Sequence, residues 1–412
     1  MPATKPENHS LRERLLKSHD ALKLAGDPPN QLLLDMPEPM IGYFRAILKQ
    51  QPLTLPDAEE KDWINAIRIL ASHEILPLLH RRIHDLPEKN RPPCTIIEKL
   101  RSSFMSASVR SMQVEKQLGT LLSAIGKSGE KHLVLKGPAI SGSLYPDTTM
   151  RSYNDIDILV MPDRFPKVRQ VLLDLGYVCS APRFDRYRDL HSEESFVHLK
   201  DRMALPVELH WDIHHFFGFR GRGTVNDLFG HAIPKTFGAL SFCGLDPVDE
   251  LIHLVLHLVL IHTRDIRLIW LYDIFLLATQ IGESGRWQEL TEICQEWSAT
   301  LAVFHILQLV RIWTPLSLPD EVNSLDKWPK QHPAEEKAWQ SVLKKHRHIH
   351  AMISLRLPPG LPWIKKAIYI VDFVFPPKEN LKKRYAISHD FLLPYYYLKR
   401  LFERLARRSW KR

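Results

Sequence analysis

The sequence predicts an α+β protein, a small mixed-sheet core flanked by N-terminal and C-terminal helical regions. Three observations carry this. Apolar residues recur at three- and four-residue spacing before residue 126 and again after Pro247, which is the period of amphipathic helices. Between those regions, short apolar or alternating runs are interleaved with helical stretches, the pattern of a small α/β sheet. Thirty prolines against seventeen glycines suit helices stopped by proline-containing linkers better than a glycine-rich all-β fold.

The elements follow in order. Residues 1–10 are expected to be disordered, and residues 11–125 to form an N-terminal helical region. Its clearest signal is Trp63, Ile64, Ile67, Leu70 and Ala71, followed by Ile75, Leu76, Leu78 and Leu79. Breaks at Pro28-Pro29, Pro37–Pro39 and Pro92-Pro93 separate helices, and a long helix is predicted from about Ile96 to Lys127. The core spans 126–235. KHLVLK (131–136) reads as a short buried strand, and PAISGSLY (138–145) opens a helix with Pro in its first turn. SYNDIDILV (152–160) alternates with period two and reads as a second strand. DRFPKVRQVLLDLGY (163–177) is an amphipathic helix closed by Gly176, and SFVHLK (195–200) and PVELHWDI (206–213) are further strands. Residues 236–412 form the C-terminal helical region with its basic tail. It comprises two strongly apolar helices between Asp249 and Ile281, then helical patterns at Gln308–Trp313 and Ala334–Ile353.

Composition narrows the function classes. Of the 412 residues, 44% are apolar and 25% charged, so a sizeable core is expected and disorder is not the expected state of the whole chain. Cys94, Cys179, Cys243 and Cys294 lie far apart with no CxxC, which argues against a disulfide framework or zinc ribbon and for a reducing cytoplasm. The N-terminal stretch has no apolar segment of the secretory kind. The most apolar run, Leu251 to Ile261, is eleven residues long and includes His253 and His257. A spanning helix needs about 20. A cytoplasmic protein, at most attached to a membrane surface, is therefore expected. The net charge of +9 suits nucleotides, nucleic acid or acidic lipid, and nine Lys/Arg against two acids fall within Lys383–Arg412.

Chemistry concentrates in the core. Asp155 and Asp157 stand at i and i+2 on a predicted strand, so their carboxylates share one face while Ile156 and Ile158 turn to the core. Two carboxylates so placed suit Mg²⁺, which binds carboxylate, water and substrate phosphate. VELHWDI offers a third acid on a neighbouring strand. Glu208, His210 and Asp212 share the face opposite Val207, Leu209 and Trp211; Glu208 is preferred, and Asp212 is the substitute. Lys136-Gly137 ends the first strand where a helix begins, a place where glycine lets backbone approach phosphate and the helix N-terminus favours an anion. Lys136 or Arg151 would add positive charge. A lone D-x-D is usually a solvated strand end, and KG before a helix is weaker still. Their order and spacing together carry the functional reading.

That ordered set resembles the uncharacterised nucleotidyltransferase family of bacteria, a branch of the polymerase-β nucleotidyltransferase superfamily. The residues concerned are Leu135-Lys136-Gly137, Leu144 to Asp147 (LYPD), Arg151, Asp155 to Val160 (DIDILV), Leu175-Gly176-Tyr177 and Val207 to Trp211 (VELHW). Trp63 with Ala71–Leu79 and Arg267–Asp273 resemble its flanking helices more loosely. The resemblance implies a Mg²⁺- or Mn²⁺-dependent transfer of a nucleoside monophosphate from an NTP to a hydroxyl or phosphate, with Asp155, Asp157 and Glu208 as metal ligands. The acceptor is open among small molecules, sugars and protein side chains. There are two departures. The usual glycine–serine pair is Gly137-Pro138 here, which removes a hydroxyl for phosphate unless Ser141 or Ser143 reaches. The third acid is Glu where many members use Asp.

Other features have plainer readings beside the functional ones. His253 and His257 lie i, i+4 on one helix with His262 following; interior histidines are the plainer reading, a metal site the other. Arg267 and Asp273 are candidates to line the cleft, Arg267 against phosphate, with a structural Arg–Asp ion pair as the alternative. The tail FLLPYYYLKRLFERLARRSWKR suits an anionic membrane surface or nucleic acid, or a final packed helix with a solvated basic side. The rival functions are a non-catalytic nucleotide- or partner-binding module that keeps the fold, and a nucleic-acid-modifying enzyme using the basic tail.

Overall fold

The computed structural model describes residues 36–331 apart from 181–183, 189–190, 202, 214–222 and 263–265, together with scattered residues from 333 to 406. The disorder expected for 1–10, the helical pattern of 11–35, most of the helix expected over 334–353 and the end of the basic tail lie outside the described residues. The chain divides into two compact units, 1–356 and 357–412.

The first unit opens with helices α1 (Glu38–Lys49), α2 (Glu60–Ser72) and α3 (Leu76–His84). A capping box between Glu59 and Asp62 starts α2, which buries Trp63, Ala66, Ile67 and Leu70 on one face. Prolines stand in the first turns of α1 and α3, where no backbone donor is lost. After Pro92-Pro93 comes α4 (Cys94–Lys127), 34 residues long. Its first turns bury Ile96 and Leu100 among the helices; its later turns bury Val114, Leu118, Leu121 and Ile125 against the sheet.

The sheet is mixed, with strand order β1-β2-β5-β4-β3. Its strands are β1 (His132–Leu135), β2 (Ile156–Val160), β3 (Tyr177–Cys179), β4 (Glu193–His198) and β5 (Val207–His210). β2 and β5 run parallel side by side, β1 is antiparallel to β2, and β4 is antiparallel to both β5 and β3. All five residues of β2 are buried, as a strand covered on both faces must be. Ile156, Ile158, Val160, Val207 and Leu209 face one core with α4 and with α6 (Phe165–Asp174). Leu133, Leu135 and Leu159 face the other, with α7 (Pro247–Ile261), α8 (Leu268–Glu283), α9 (Trp287–Glu296) and α10 (Thr300–Trp313). The helical, α/β, helical order is thus as the sequence predicts.

The strands are shorter than their sequence patterns. β2 begins at Ile156, where pairing with β5 begins, so Asp155 precedes the strand instead of lying within it. Lys136 already belongs to the next helix, α5 (Lys136–Leu144). Strand β3 was not expected, and neither was the hairpin of β6 (Ile233–Phe237) and β7 (Leu240–Gly244), which turns at Gly238 with φ +56°. This hairpin explains a glycine that the sequence left unremarked. A Cβ on Gly142 of α5 would lie 1.8 Å from the Thr236 carbonyl oxygen, so helix and hairpin backbones meet directly there.

In the second unit, α11 (Lys378–Tyr385) and α12 (Leu393–Ala406) join through Tyr385 and Tyr396, whose ring centroids lie 5.0 Å apart, and Leu381 and Ile387 are buried. No described helix of the chain is long and apolar enough to cross a membrane.

Candidate functional site

The parallel pairing of β2 with β5 sets Asp157 directly beside Glu208 in register, on the sheet face that carries Leu133, Leu135 and Leu159. Asp157 is buried, with 1% of its surface exposed. Its Oδ1 accepts from Lys136 Nζ at 2.8 Å and lies 2.9 Å from His210 Nε2. The other ring nitrogen of His210 is 3.5 Å from Glu193 Oε2. Asp157 Oδ2, by contrast, is buried without a hydrogen-bond partner. Lys136 reaches Asp157 from a backbone with φ +47°, a left-handed conformation that a side chain adopts at a cost of about 1–2 kcal/mol.

The charges are unevenly matched. Burial would raise the Asp157 carboxyl, but Lys136 and His210 override it and hold it well below the usual carboxylate range. Asp155 is pushed up to about 6, by burial first and then by the charge of Asp157. Glu208 is pushed up to about 8, by burial and then by Asp157 and Glu193. Burial opposes the charge of His210, yet its bond to Asp157 and its proximity to Glu193 raise it. The site therefore holds more carboxylate than its cations neutralise. Ligand atoms of Asp157, Glu208 and His210 lie within 4.8 Å of one another, a cluster able to hold a divalent cation. The orphaned Oδ2 of Asp157 and the crowded Glu208 are the oxygens best suited to it. Both nitrogens of His210 are already directed at carboxylates, so its fit is that of an orienting group.

These residues stand at a cavity of about 320 Å³. One wall comes from the core: Lys136, Gly137, Arg151, Tyr153, Asn154, Asp155, Glu193 and Glu208. The other comes from α7, α8 and the segment between them: Leu254, His257, Leu258, Ile261, His262, Arg267, Trp270 and Ile274. Glu74 closes one end, also with positive φ (+56°), and accepts from Asn154 Nδ2 at 2.7 Å and from Arg267.

Lys136, Gly137, Asp155 and Glu208 thus line the cavity; Asp157 lies buried behind them, bonded to Lys136 and in register with Glu208, and Asp212 neither lines the cavity nor belongs to that cluster. A Cβ on Gly137 would press on Tyr153 at 3.2 Å. Arg151 lines the cavity but directs its donors elsewhere: Nε and Nη2 reach Asp273 Oδ2 at 3.2 and 2.9 Å, and Nη1 reaches the Ser152 carbonyl. Asp273 also accepts from Tyr145 at 2.7 Å. The Arg–Asp pair weighed for Arg267 and Asp273 is therefore formed by Arg151; Arg267 pairs with Glu74 and lies 4.8 Å over the Trp270 ring. Ser141 and Ser143 donate to the carbonyls of Thr148 and Ala139, so neither supplies the missing hydroxyl. Of the three histidines, His257 and His262 meet at 3.1 Å and line the cavity, while His253 is buried.

Sequence reasoning passed over Glu74, Glu193 and the pairing of His210 with Asp157. Only His210 left a signal, since it follows Glu208 on the same strand face.

Comparison with known families adds to this geometry. The family described as uncharacterised nucleotidyltransferase matches residues 59–315, well over half of the chain, and the chain belongs to that family. The match includes both walls of the cavity. No curated protein sequence matches the chain.

Proposed function

We propose that the protein is a divalent-cation-dependent nucleotidyltransferase of the polymerase-β type, which transfers a nucleoside monophosphate from an NTP to an acceptor hydroxyl or phosphate. A bond forms from the acceptor oxygen to the α-phosphorus as the bond to pyrophosphate breaks. The observation that carries this reading is the surplus of carboxylate beside a cavity, with Asp157 Oδ2 buried and unpartnered. Asp155, Asp157 and Glu208 would hold Mg²⁺ or Mn²⁺; Asp157 and Glu208 belong to the close cluster, whose third member, His210, orients Asp157. When bound, the cation would neutralise phosphate charge and ease ionisation of an acceptor hydroxyl. Lys136 and His210 fix the Asp157 carboxylate by two bonds to one oxygen, which orients the other. Gly137 lines the cavity at the first turn of α5, where a helix N-terminus favours phosphate. Arg267, stacked on Trp270, is the cation of the helical wall, and Arg151 acts by holding α8 to the core. The aliphatic residues of α7 and α8 exclude water from the opposite side.

The acceptor can be a small molecule, a sugar or a protein side chain. The test is a screen of the four NTPs with Mg²⁺ or Mn²⁺ for pyrophosphate release, with and without cell extract, on the wild type and Glu208→Gln. Metal-dependent release by the wild type and none by the variant is expected. Metal-dependent NTP binding without release under any condition would favour a non-catalytic module.

A further inference from the structure

We propose that the second compact unit, residues 357–412, binds the surface of an anionic lipid bilayer. Charge is the first observation. This unit holds thirteen Lys/Arg against four Asp/Glu, a net +9, which equals the net charge of the whole chain and leaves the other residues neutral in sum. Apolar surface is the second. Trp363 is 76% exposed and Phe391 77%, and Ile364, Val371, Tyr395 and Leu398 are also exposed. Tyr395 and Leu398, three residues apart, share a face at the start of α12, and Phe391 stands exposed in the 3₁₀ turn Asp390–Leu392 just ahead of it; these residues form the apolar stripe. The helix meets α11 through a different residue, Tyr396, with Lys399 over both tyrosine rings at 5.7 Å. The stripe is thus distinct from the contact that joins the two helices.

The mixture of residues selects the occupant. Nucleic acid would use the basic residues and stack on the aromatic ones, but it gives aliphatic side chains such as Ile364, Val371 and Leu398 little to bury against. A bilayer surface accepts all three classes: basic residues at anionic headgroups, Trp and Tyr at the interface, aliphatic and Phe side chains at the acyl boundary. Charge and apolar insertion together supply the two signals that surface attachment needs. This inference does not depend on the proposed reaction.

The test is co-sedimentation of the full chain with vesicles of phosphatidylcholine alone or with about 30 mol % phosphatidylglycerol. Binding at least about tenfold tighter to the anionic vesicles, weakening with salt, is expected. The exposed double variant Phe391→Ser, Leu398→Ser should lower that binding about tenfold without moving the melting temperature. Lys378→Glu, Lys399→Glu should lower it as well and flatten its dependence on salt. Lack of binding to anionic vesicles would overturn the proposal, as would binding that the serine variant leaves unchanged. Displacement from vesicles by single-stranded RNA at lower concentration than lipid would assign the surface to nucleic acid instead.

Discussion

Replacing Glu208 by Gln removes one negative charge from a site that has too many while keeping the side chain's size. Without divalent cation, the variant should therefore be more stable than the wild type. Burial, Asp157 and Glu193 raise the folded-state carboxyl from an ordinary 4.5 to about 8. The folded protein then holds a proton that the unfolded chain has released, so stability falls as pH rises through that window. At about 1.4 kcal/mol for each pH unit between the two values, the penalty reaches at most about 5 kcal/mol above pH 8 and nearly vanishes by about pH 4. The side chain is 25% exposed, so solvent screening lowers the figure rather than cancelling it. With about 2.1 cal/mol/K of unfolding entropy per residue over a first unit of 356 residues, the ceiling is a rise of about 6 °C in Tm. Differential scanning fluorimetry with chelator, in steps from about pH 5 to 9, measures it. Added Mg²⁺ should raise the wild-type Tm and raise that of the variant less. A Gln variant that melts at or below the wild type above pH 8 in chelator would refute the idea of an overcharged cation site.

Asp157→Asn should behave in the opposite way. It leaves Lys136 buried without its counter-ion, and urea denaturation should show a loss of about 3–5 kcal/mol along with loss of turnover. Asp155→Asn should leave stability equal or higher, because its carboxyl is already raised to about 6, yet lower pyrophosphate release at least about a hundredfold. Asp212→Asn, outside the cavity lining, should retain most of the turnover in the same assay. Gly142→Ala drives a Cβ against the Thr236 carbonyl and should cost about 3 kcal/mol in chemical denaturation, although it touches no residue of the site.

Local pattern accounts for what the sequence disclosed. The alternation in Asp155–Val160 and Val207–Trp211, the glycine after β1 and the apolar periods of α2, α4, α7 and α8 are all short-range signals, and they located the core, the helical flanks and the acidic strand pair. What escaped depends on partners far apart in sequence. Arg151 and Asp273 are 122 residues apart, Arg267 and Glu74 193, and no period links them. In the sequence pattern Asp157 falls on the strand face opposite the core residues Ile156 and Ile158. Its register beside β1 and β5 buries it, so the same group is both a candidate ligand and the counter-ion of Lys136. The β6–β7 hairpin leaves little trace because Gly238-Ala239 is a weak turn signal and Pro234 interrupts the first strand's pattern.

The buried trio of Tyr145, Arg151 and Asp273 bears on how the protein can be dissected. A fragment ending near residue 244 would keep every acidic residue of the site, yet it would leave the Arg151 guanidinium without Asp273 and Leu133, Leu135 and Leu159 facing water. Chimeras face the same constraint. A helical wall transplanted from a relative would have to bring an acid at the position of Asp273, or the recipient sheet would carry an unanswered buried charge beside the candidate site.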